Sequence, residues 1–343
     1  IIMGLVITVS ATFNIHRVVL LLGATETIAP YAEAYAHYIF IAAPFMICSF
    51  IMNNLLRFQG KASFAMVGIT VGGLLNIALD PLFIFTLDMG TAGAALATGL
   101  SQFISFCILL WMCNHQDSCI SISIRKFRPK LAIYREVLYG GIPSLGRQGI
   151  ASVATILMNF MCQPYGDAAI AAMSIVSRFM FFINSVIIGF GQGFQPVCGF
   201  NFGAKRYDRV RRGYFCAIAM TAAWGLCTTF LLIGMARLLF SIFLQEEEVM
   251  AIGVNYLRIV GLSQMFMMVE QTSIGAFSGL GRTLYPSIVS VTFTSARIPV
   301  AVLLSSVMGL SGIWWALSIS SMVKGCILFV SFVVFLYVFL ERK

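Results

Sequence analysis

The chain has 343 residues, of which 59% are hydrophobic and only 10% are charged. Soluble proteins carry about 25% charged residues, so this composition excludes a soluble globular domain and indicates a protein that crosses a membrane several times. The net charge of +9 is concentrated in alternate loops, which is a signal of membrane topology, and we therefore expect no nucleic-acid partner.

Apolar runs follow one another along the whole chain, and each is long enough to cross a bilayer as a helix. A helix needs about 20 residues to span the hydrocarbon core. The sequence therefore predicts an all-α, polytopic membrane protein with about ten transmembrane helices, at residues 1–22, 35–56, 62–86, 90–112, 136–163, 168–200, 213–243, 254–278, 285–307 and 310–338.

The loops between these runs alternate in charge. Acids stand in one set of loops, at Glu26, Asp88, Asp167, Glu246, Glu247 and Glu248. The other set and the C-terminus hold 15 of the 22 basic residues: Arg57, Lys61, Arg125, Lys126, Arg128, Lys130, Arg135, Lys205, Arg206, Arg209, Arg211, Arg212, Arg282, Arg342 and Lys343. Lys and Arg are enriched in cytoplasmic loops. We expect a plasma-membrane protein with both ends of the intact chain in the cytoplasm.

The first third of the chain resembles the last third when shifted by about 221 residues. The shift places Asp80 over Ala301 and Ser49 over Glu270. The second copy also has two upstream helices that the first lacks, and the chain opens on Ile1 rather than Met. We therefore expect an N-terminally truncated twelve-helix fold of two six-helix lobes, an architecture typical of transporters. The predicted parts are the last four helices of an amino-terminal lobe at 1–113, a cytoplasmic linker at 114–134 and a complete carboxy-terminal lobe at 135–343.

Asp80 is a carboxylate at membrane depth, and such residues usually have a function or a partner. Asn76 lies one helical turn earlier, and Thr98 lies on the next helix, which runs in the opposite direction. Asp80 is eight residues before Asp88 and Thr98 is eight residues after Gly90, so both lie roughly 12 Å inside one membrane face. We predict that the three side chains form a Na⁺ site, or a proton site centred on Asp80. The structural alternative is that they only satisfy one another or the bend at Pro81.

Other polar residues lie within the predicted spans of the carboxy-terminal lobe. We predict that six of them line a substrate cavity: Glu270, Arg297, Gln192, Gln195, Asn159 and Arg147. For Glu270 the alternative is an ion pair with an intramembrane cation, and for the amides it is hydrogen bonding between helices. Arg178 and Lys324 are further basic residues within spans. The many Met and Phe side chains suit the binding of varied flat cations.

Motifs for catalysis are absent from the sequence. There is no GxxxxGK[ST] phosphate loop, no HExxH metal motif and no GxSxG nucleophile elbow. None of the nine Cys residues forms a CxxC pair, so we interpret them as small core residues. We expect neither an enzyme nor a cofactor beyond a coupling ion.

Several separated motifs make the chain resemble the multidrug and toxic compound extrusion (MATE) family of the MOP flippase superfamily. The stretch from Gly191 to Lys205 resembles the family's eighth helix and its cytoplasmic exit, and Gly141-Ile-Pro143 resembles the start of its seventh. Phe58-Gln-Gly-Lys61, Asn76 to Asp80-Pro81 and Gly90 to Gly93 resemble its fourth to sixth helices.

The resemblance implies a monomeric antiporter that exports organic, often cationic, drugs in exchange for Na⁺ or H⁺. It also implies that Asn76, Asp80 and Thr98 match the family's amino-terminal cation site, which uses an additional acid on a helix that precedes this chain. Two alternatives stay open. One is a lipid-linked oligosaccharide flippase of the same superfamily, in which Arg147, Arg178 and Arg297 would meet an anionic headgroup. The other is a membrane scaffold that transports nothing.

Overall fold

The structure is a computed structural model that describes residues 2–21, 29–114, 122, 130–243 and 246–339. Every regular element in these ranges is helical, which confirms the all-α prediction. The chain divides into two compact units, residues 1–128 and 129–343. The division falls inside the predicted linker, most of which lies outside the described residues, as do Glu26, Arg125, Lys126, Arg128, Arg342 and Lys343. The assignment of the units as transporter lobes stays a prediction.

The first unit is built around the packing of three long helices. Its elements are α1 (Ile2–Phe13), α2 (Ile15–Leu21), α3 (Ala29–Phe58), α4 (Ala62–Pro81), a π-helical segment (Leu82–Thr86) and α5 (Gly90–Asn114). α5 packs against both α3 and α4. A small core of Met52, Leu56, Ala65, Leu109 and Cys113 lies where these helices meet.

The second unit surrounds one central helix. Its elements are α6 (Leu131–Cys162), α7 (Asp167–Gly203), α8 (Tyr207–Gly234), α9 (Ala236–Ser241), α10 (Glu247–Gly279), α11 (Leu284–Met308) and α12 (Leu310–Phe339), with a 3₁₀ turn at Gln163–Tyr165. α7, α8 and α12 all pack against α10. α10 is therefore buried on several sides, and a charged residue on one of its buried sides needs a partner within the bundle.

Eight of the ten predicted spans are helices that are long and apolar enough to cross a membrane, counted over the described residues. The predicted span 1–22 is instead divided at Asn14 into α1 and α2, and the Asn14 amide donates to the carbonyl of Ser10 at 3.3 Å. Such local side-chain bonding competes with helical geometry. α6 is 32 residues long but is less apolar, because it carries Arg135, Glu136 and Arg147. The span predicted at 213–243 is divided into α8 and α9 around Met235.

Basic residues gather at one end of the second unit. The guanidinium of Arg211, near the start of α8, lies 5.0 Å from the ring centre of Tyr337 near the end of α12. Arg282, in the turn between α10 and α11, lies 4.6 Å from the ring centre of Phe335. Glu247 and Glu248 stand in the first turn of α10, at its other end. Basic and acidic residues thus lie at opposite ends of this unit. The sequence pattern predicts that the basic end faces the cytoplasm.

Candidate functional site

Asp80 lies where α4 gives way to the π-helical segment. α4 ends at Pro81, and residues Leu82–Thr86 continue in π-helical geometry. Pro81 has no backbone N–H, so the carbonyl of Ile77 loses its usual helical donor. Short π-helical segments are rare and are frequent at functional sites. The backbone thus departs from α-helical geometry directly beyond the acidic side chain.

The side chains of Asn76, Asp80 and Thr98 meet between α4 and α5. Nδ2 of Asn76 donates to Oδ1 of Asp80 at 3.1 Å and to Oγ1 of Thr98 at 3.3 Å. The Thr98 hydroxyl donates to the carbonyl of Ala94 at 3.0 Å. All three residues are half-buried. Asp80 and Thr98, which residue counting placed at one depth, are therefore bridged by a single amide.

The chemistry of this set fits a small hard cation or a proton. A carboxylate, a hydroxyl and an amide oxygen are the ligand types that such cations prefer. The nitrogen and oxygen of an amide occupy interchangeable positions, so rotating the Asn76 amide by 180° turns Oδ1 toward the other two groups. The same three groups also form hydrogen bonds with one another, which is what the structural alternative predicts. Cation binding here stays a prediction.

In the part of the chain that the structure describes, the Asp80 carboxylate has no ion-pair partner. An acid at membrane depth usually pairs with a cation or exchanges a proton. Asp80 thus has a neutral hydrogen-bond donor in place of a fixed positive charge.

Glu270 in the second unit has the opposite environment. Nζ of Lys324 on α12 lies 3.0 Å from Oε1 of Glu270 on α10, and the two residues are only 7% and 4% exposed. Arg147 and Arg297 both lie within electrostatic range of the Glu270 carboxylate. The structure therefore shows the ion pair that was the alternative to a cavity role for Glu270.

The other predicted cavity residues are also distributed over the second unit. Arg297 on α11 is half-buried, and its Nε atom is inaccessible to solvent and has no hydrogen-bond partner in the described part of the chain. Arg147 is half-buried on α6, Gln192 and Gln195 are half-buried on α7, and Asn159 is exposed on α6. Substrate contact by these residues stays a prediction.

The internal repeat is visible as a matching contact in the two units. A Cβ atom added to Gly93 would lie 2.7 Å from the carbonyl oxygen of Phe83, and one added to Gly312 would clash with the carbonyl oxygen of Leu304. Gly93 lies ten positions after Phe83, but Gly312 lies only eight positions after Leu304. In the first unit the π-helical segment overlaps this longer stretch, whereas in the second unit α11 continues to Met308.

The repeat also shows which residues of the second unit occupy the positions of the Asp80 site. The equivalents of Asn76, Asp80 and Thr98 are Arg297, Ala301 and Leu317. Ala301 is fully buried. A guanidinium therefore stands at the position of the amide, and the carboxylate is missing. From the sequence we identified Arg297 as a polar residue within a span, but we did not identify Arg297 as the equivalent of Asn76. The alignment that places Asp80 over Ala301 also places Asn76 over Arg297.

Comparisons with known proteins identify the family of the chain and relatives with a similar fold. The family model described as MatE matches residues 1–82 and 143–303. The multidrug export protein MepA of Staphylococcus haemolyticus is 24% identical over 334 residues, which are 97% of this chain and 73% of that protein. MepA of Staphylococcus saprophyticus is 26% identical, over 98% of this chain and 74% of that protein.

A solved structure described as the outward-facing conformation of a multidrug resistance MATE family transporter of the MOP superfamily is similar in fold. It has a TM-score of 0.92 at 24% identity, and the match covers 100% of this chain and 77% of that one. The family model alone covers well over half of the residues. The chain therefore belongs to the MatE family, the multidrug and toxic compound extrusion transporters.

Proposed function

We propose that this multi-pass membrane protein is a secondary active antiporter that exports organic, often cationic, amphipathic compounds in exchange for Na⁺ or H⁺. Membership of the MatE family and the multidrug export proteins among its relatives support drug export. The observation that carries the coupling mechanism is the half-buried Asp80 carboxylate, which has a neutral amide as its partner in place of a fixed cation. We further propose a monomer in the plasma membrane with both ends cytoplasmic.

Cation exchange at Asp80 changes the contact between α4 and α5. In the structure, the Asn76 amide donates to both Asp80 and Thr98. A proton on Asp80 removes the charge that this donor stabilises, and a Na⁺ ion requires the amide to present its oxygen. Either event alters the hydrogen bond between the two helices, and such a differential interaction is what shifts a conformational equilibrium.

The fixed charges of the second unit confine this exchange to the first unit. Lys324 already neutralises Glu270, and Arg297 and Ala301 stand where Asn76 and Asp80 would be. We therefore propose one exchangeable cation per cycle, counted over the described residues. For an uncharged substrate, one inward-moving cation supplies about 2.3 kcal/mol per 100 mV, which corresponds to a roughly 40-fold concentration ratio of that substrate. For a monovalent cationic substrate the two charges cancel, and the concentration gradient of the coupling cation supplies the energy. Alternating access of the two lobes would use this energy for export.

The direct test is efflux of ethidium from cells that carry the full-length gene, with the Na⁺ and H⁺ gradients collapsed separately. We expect efflux to stop when one of the two gradients is lost. Efflux that persists without either gradient would overturn the antiport mechanism. Absence of any efflux, together with intact folding in the membrane, would favour the scaffold interpretation.

A lipid-linked oligosaccharide flippase is the second candidate. It is favoured by a surplus of positive charge around Glu270 in the second unit, where Lys324 forms an ion pair with this acid and Arg147 and Arg297 interact with it electrostatically. Such a surplus suits an anionic headgroup better than a cationic drug. Translocation of a fluorescent lipid-linked oligosaccharide in proteoliposomes, without resistance of cells to organic cations, would favour this function over drug export.

A further inference from the structure

A charged pocket lies at the basic end of the second unit, away from Glu270. Its volume is about 760 Å³, which is within the range of small-molecule sites. It is formed by the turn between α7 and α8, the first turns of α8 and one residue near the end of α12. The residues that line it are Lys205, Arg206, Tyr207, Asp208, Arg209, Arg211, Arg212 and Leu336.

The lining of this pocket carries a net positive charge. Five of its eight residues are Lys or Arg, and Asp208 is the one acid among them. The five basic residues are exposed. Like charges gathered around one concave surface repel one another, and a bound anion relieves that repulsion.

The backbone of the pocket adds to this preference. α8 begins in the pocket at Tyr207, and the side chain of its N-cap residue, Arg206, makes no capping hydrogen bond. Uncapped N–H groups and the helix dipole both favour an anion at a helix N-terminus. The helix end, the basic side chains and the concave shape thus favour the same kind of ligand.

The position of the pocket relative to the membrane points to a lipid. Leu336 lines it, and Tyr337 beside Leu336 stacks with Arg211 at 5.0 Å. Both residues lie in the last turns of α12, an apolar helix long enough to span a bilayer. Tyr at a span end is typical of the headgroup level. An occupant of the pocket would therefore have apolar surface beside it and basic groups around its head.

More basic residues surround this pocket than the protein needs to orient itself in the membrane. The turn between α10 and α11 is at the same end of the unit and carries Arg282 as its only charged residue between Gly279 and Leu284. The positive-inside rule needs a bias in Lys and Arg, and it does not need them gathered around one pocket. Our first interpretation of these residues, as a topology signal alone, does not account for the pocket.

We propose that this pocket binds the phosphate headgroup of an anionic phospholipid from the leaflet at the basic end of the protein. Basic pockets beside membrane helices bind such headgroups by charge and hydrogen bonding. The guanidinium groups present paired donors to phosphate oxygens. Leu336 and Tyr337 would contact the glycerol and the start of the acyl chains.

The test is a lipid titration of the detergent-solubilised full-length protein, followed by native mass spectrometry and thermal unfolding. The probes are phosphatidylglycerol, phosphatidylcholine and inorganic phosphate. We expect retained phosphatidylglycerol and a higher unfolding temperature with that lipid than with phosphatidylcholine. The double variant Arg209→Gln/Arg212→Gln should weaken phosphatidylglycerol binding roughly 30-fold, at about 1 kcal/mol per basic residue.

The matched control is Arg237→Gln/Arg258→Gln. It removes the same charge from a pocket at the other end of the unit that is lined by Arg237, Glu247 and Arg258, and it should leave lipid binding unchanged. All four residues are exposed, so both variants should fold. Lys205→Gln/Arg206→Gln provides a second variant of the proposed site.

Three outcomes overturn the proposal. Equal binding of the two lipids, or equal loss of phosphatidylglycerol in the control and the site variants, means that the pocket does not select an anionic lipid. Stabilisation by inorganic phosphate that matches the lipid means a site for soluble anions. None of these outcomes bears on coupling at Asp80, because the readout is binding and not transport.

Discussion

The Nζ atom of Lys324 lies 3.0 Å from Oε1 of Glu270, and both residues are buried between α12 and α10. This carboxylate is neutralised by the protein itself. Asp80 differs, because its hydrogen-bond donor is the uncharged amide of Asn76. We therefore expect loss of the Lys324 charge beside Glu270 to lower stability, and loss of the Asp80 charge to lower transport.

Lys324→Met should lower the free energy of unfolding by about 3–5 kcal/mol, because it leaves Glu270 buried without its ion-pair partner. The measurement is equilibrium unfolding in mixed SDS and detergent micelles. The double variant Glu270→Gln/Lys324→Met removes both charges and should recover most of the loss. A Lys324→Met protein as stable as the parent would show that Glu270 has another source of neutralisation.

Asp80→Asn should abolish cation-driven efflux, with at least a tenfold loss of initial rate, while the protein still folds. Asparagine keeps the shape and an oxygen acceptor for Asn76, but it can neither carry a charge nor exchange a proton. The measurement is ethidium efflux together with thermal unfolding. The control is Asp88→Asn, an exposed residue with φ of 50°, since Asn tolerates this left-handed conformation. Normal pumping by Asp80→Asn would remove Asp80 from the coupling mechanism.

Thr98→Ala should raise the cation concentration for half-maximal efflux roughly tenfold, which corresponds to about 1.4 kcal/mol. It removes one of the three oxygen groups, whereas Thr98→Ser retains the hydroxyl and should behave like the parent. The measurement is efflux rate against Na⁺ concentration or pH. A purely structural role predicts lower stability with an unchanged half-maximal concentration, and that result would contradict cation binding by Thr98.

Gly93→Ala should destabilise the first unit by about 1–3 kcal/mol. A Cβ at this position would lie 2.7 Å from the carbonyl oxygen of Phe83, so the π-helical segment beyond Asp80 must move. Gly73→Ala in α4 meets no atom within 4 Å and should be neutral or stabilising by up to about 1 kcal/mol. Unfolding and efflux measured on both variants test this prediction. If the two variants were equally stable and equally active in efflux, the close contact at Gly93 would not constrain the packing of the π-helical segment.

The sequence alone determined the class of the protein, most of its helices and the grouping of Asn76, Asp80 and Thr98. These features depend on local quantities: the length of an apolar run, the charge of a loop and the helical rise from a turn. Residues on adjacent antiparallel helices can be compared by counting, so the depth shared by Asp80 and Thr98 was predictable. The internal repeat was also readable, because it compares the chain with itself.

Only the tertiary structure decided which of the basic residues pairs with Glu270, because Arg147, Arg297 and Lys324 lie on three different helices and no residue count relates their side chains. It also showed the division at Asn14, the π-helical segment after Pro81 and the pocket between the α7–α8 turn and the end of α12. The ion pair and the pocket depend on how helices pack, and such long-range contacts leave no periodic signal in the sequence. The division at Asn14 and the π-helical segment depend on which local backbone groups find partners, and hydrophobic periodicity does not report that either.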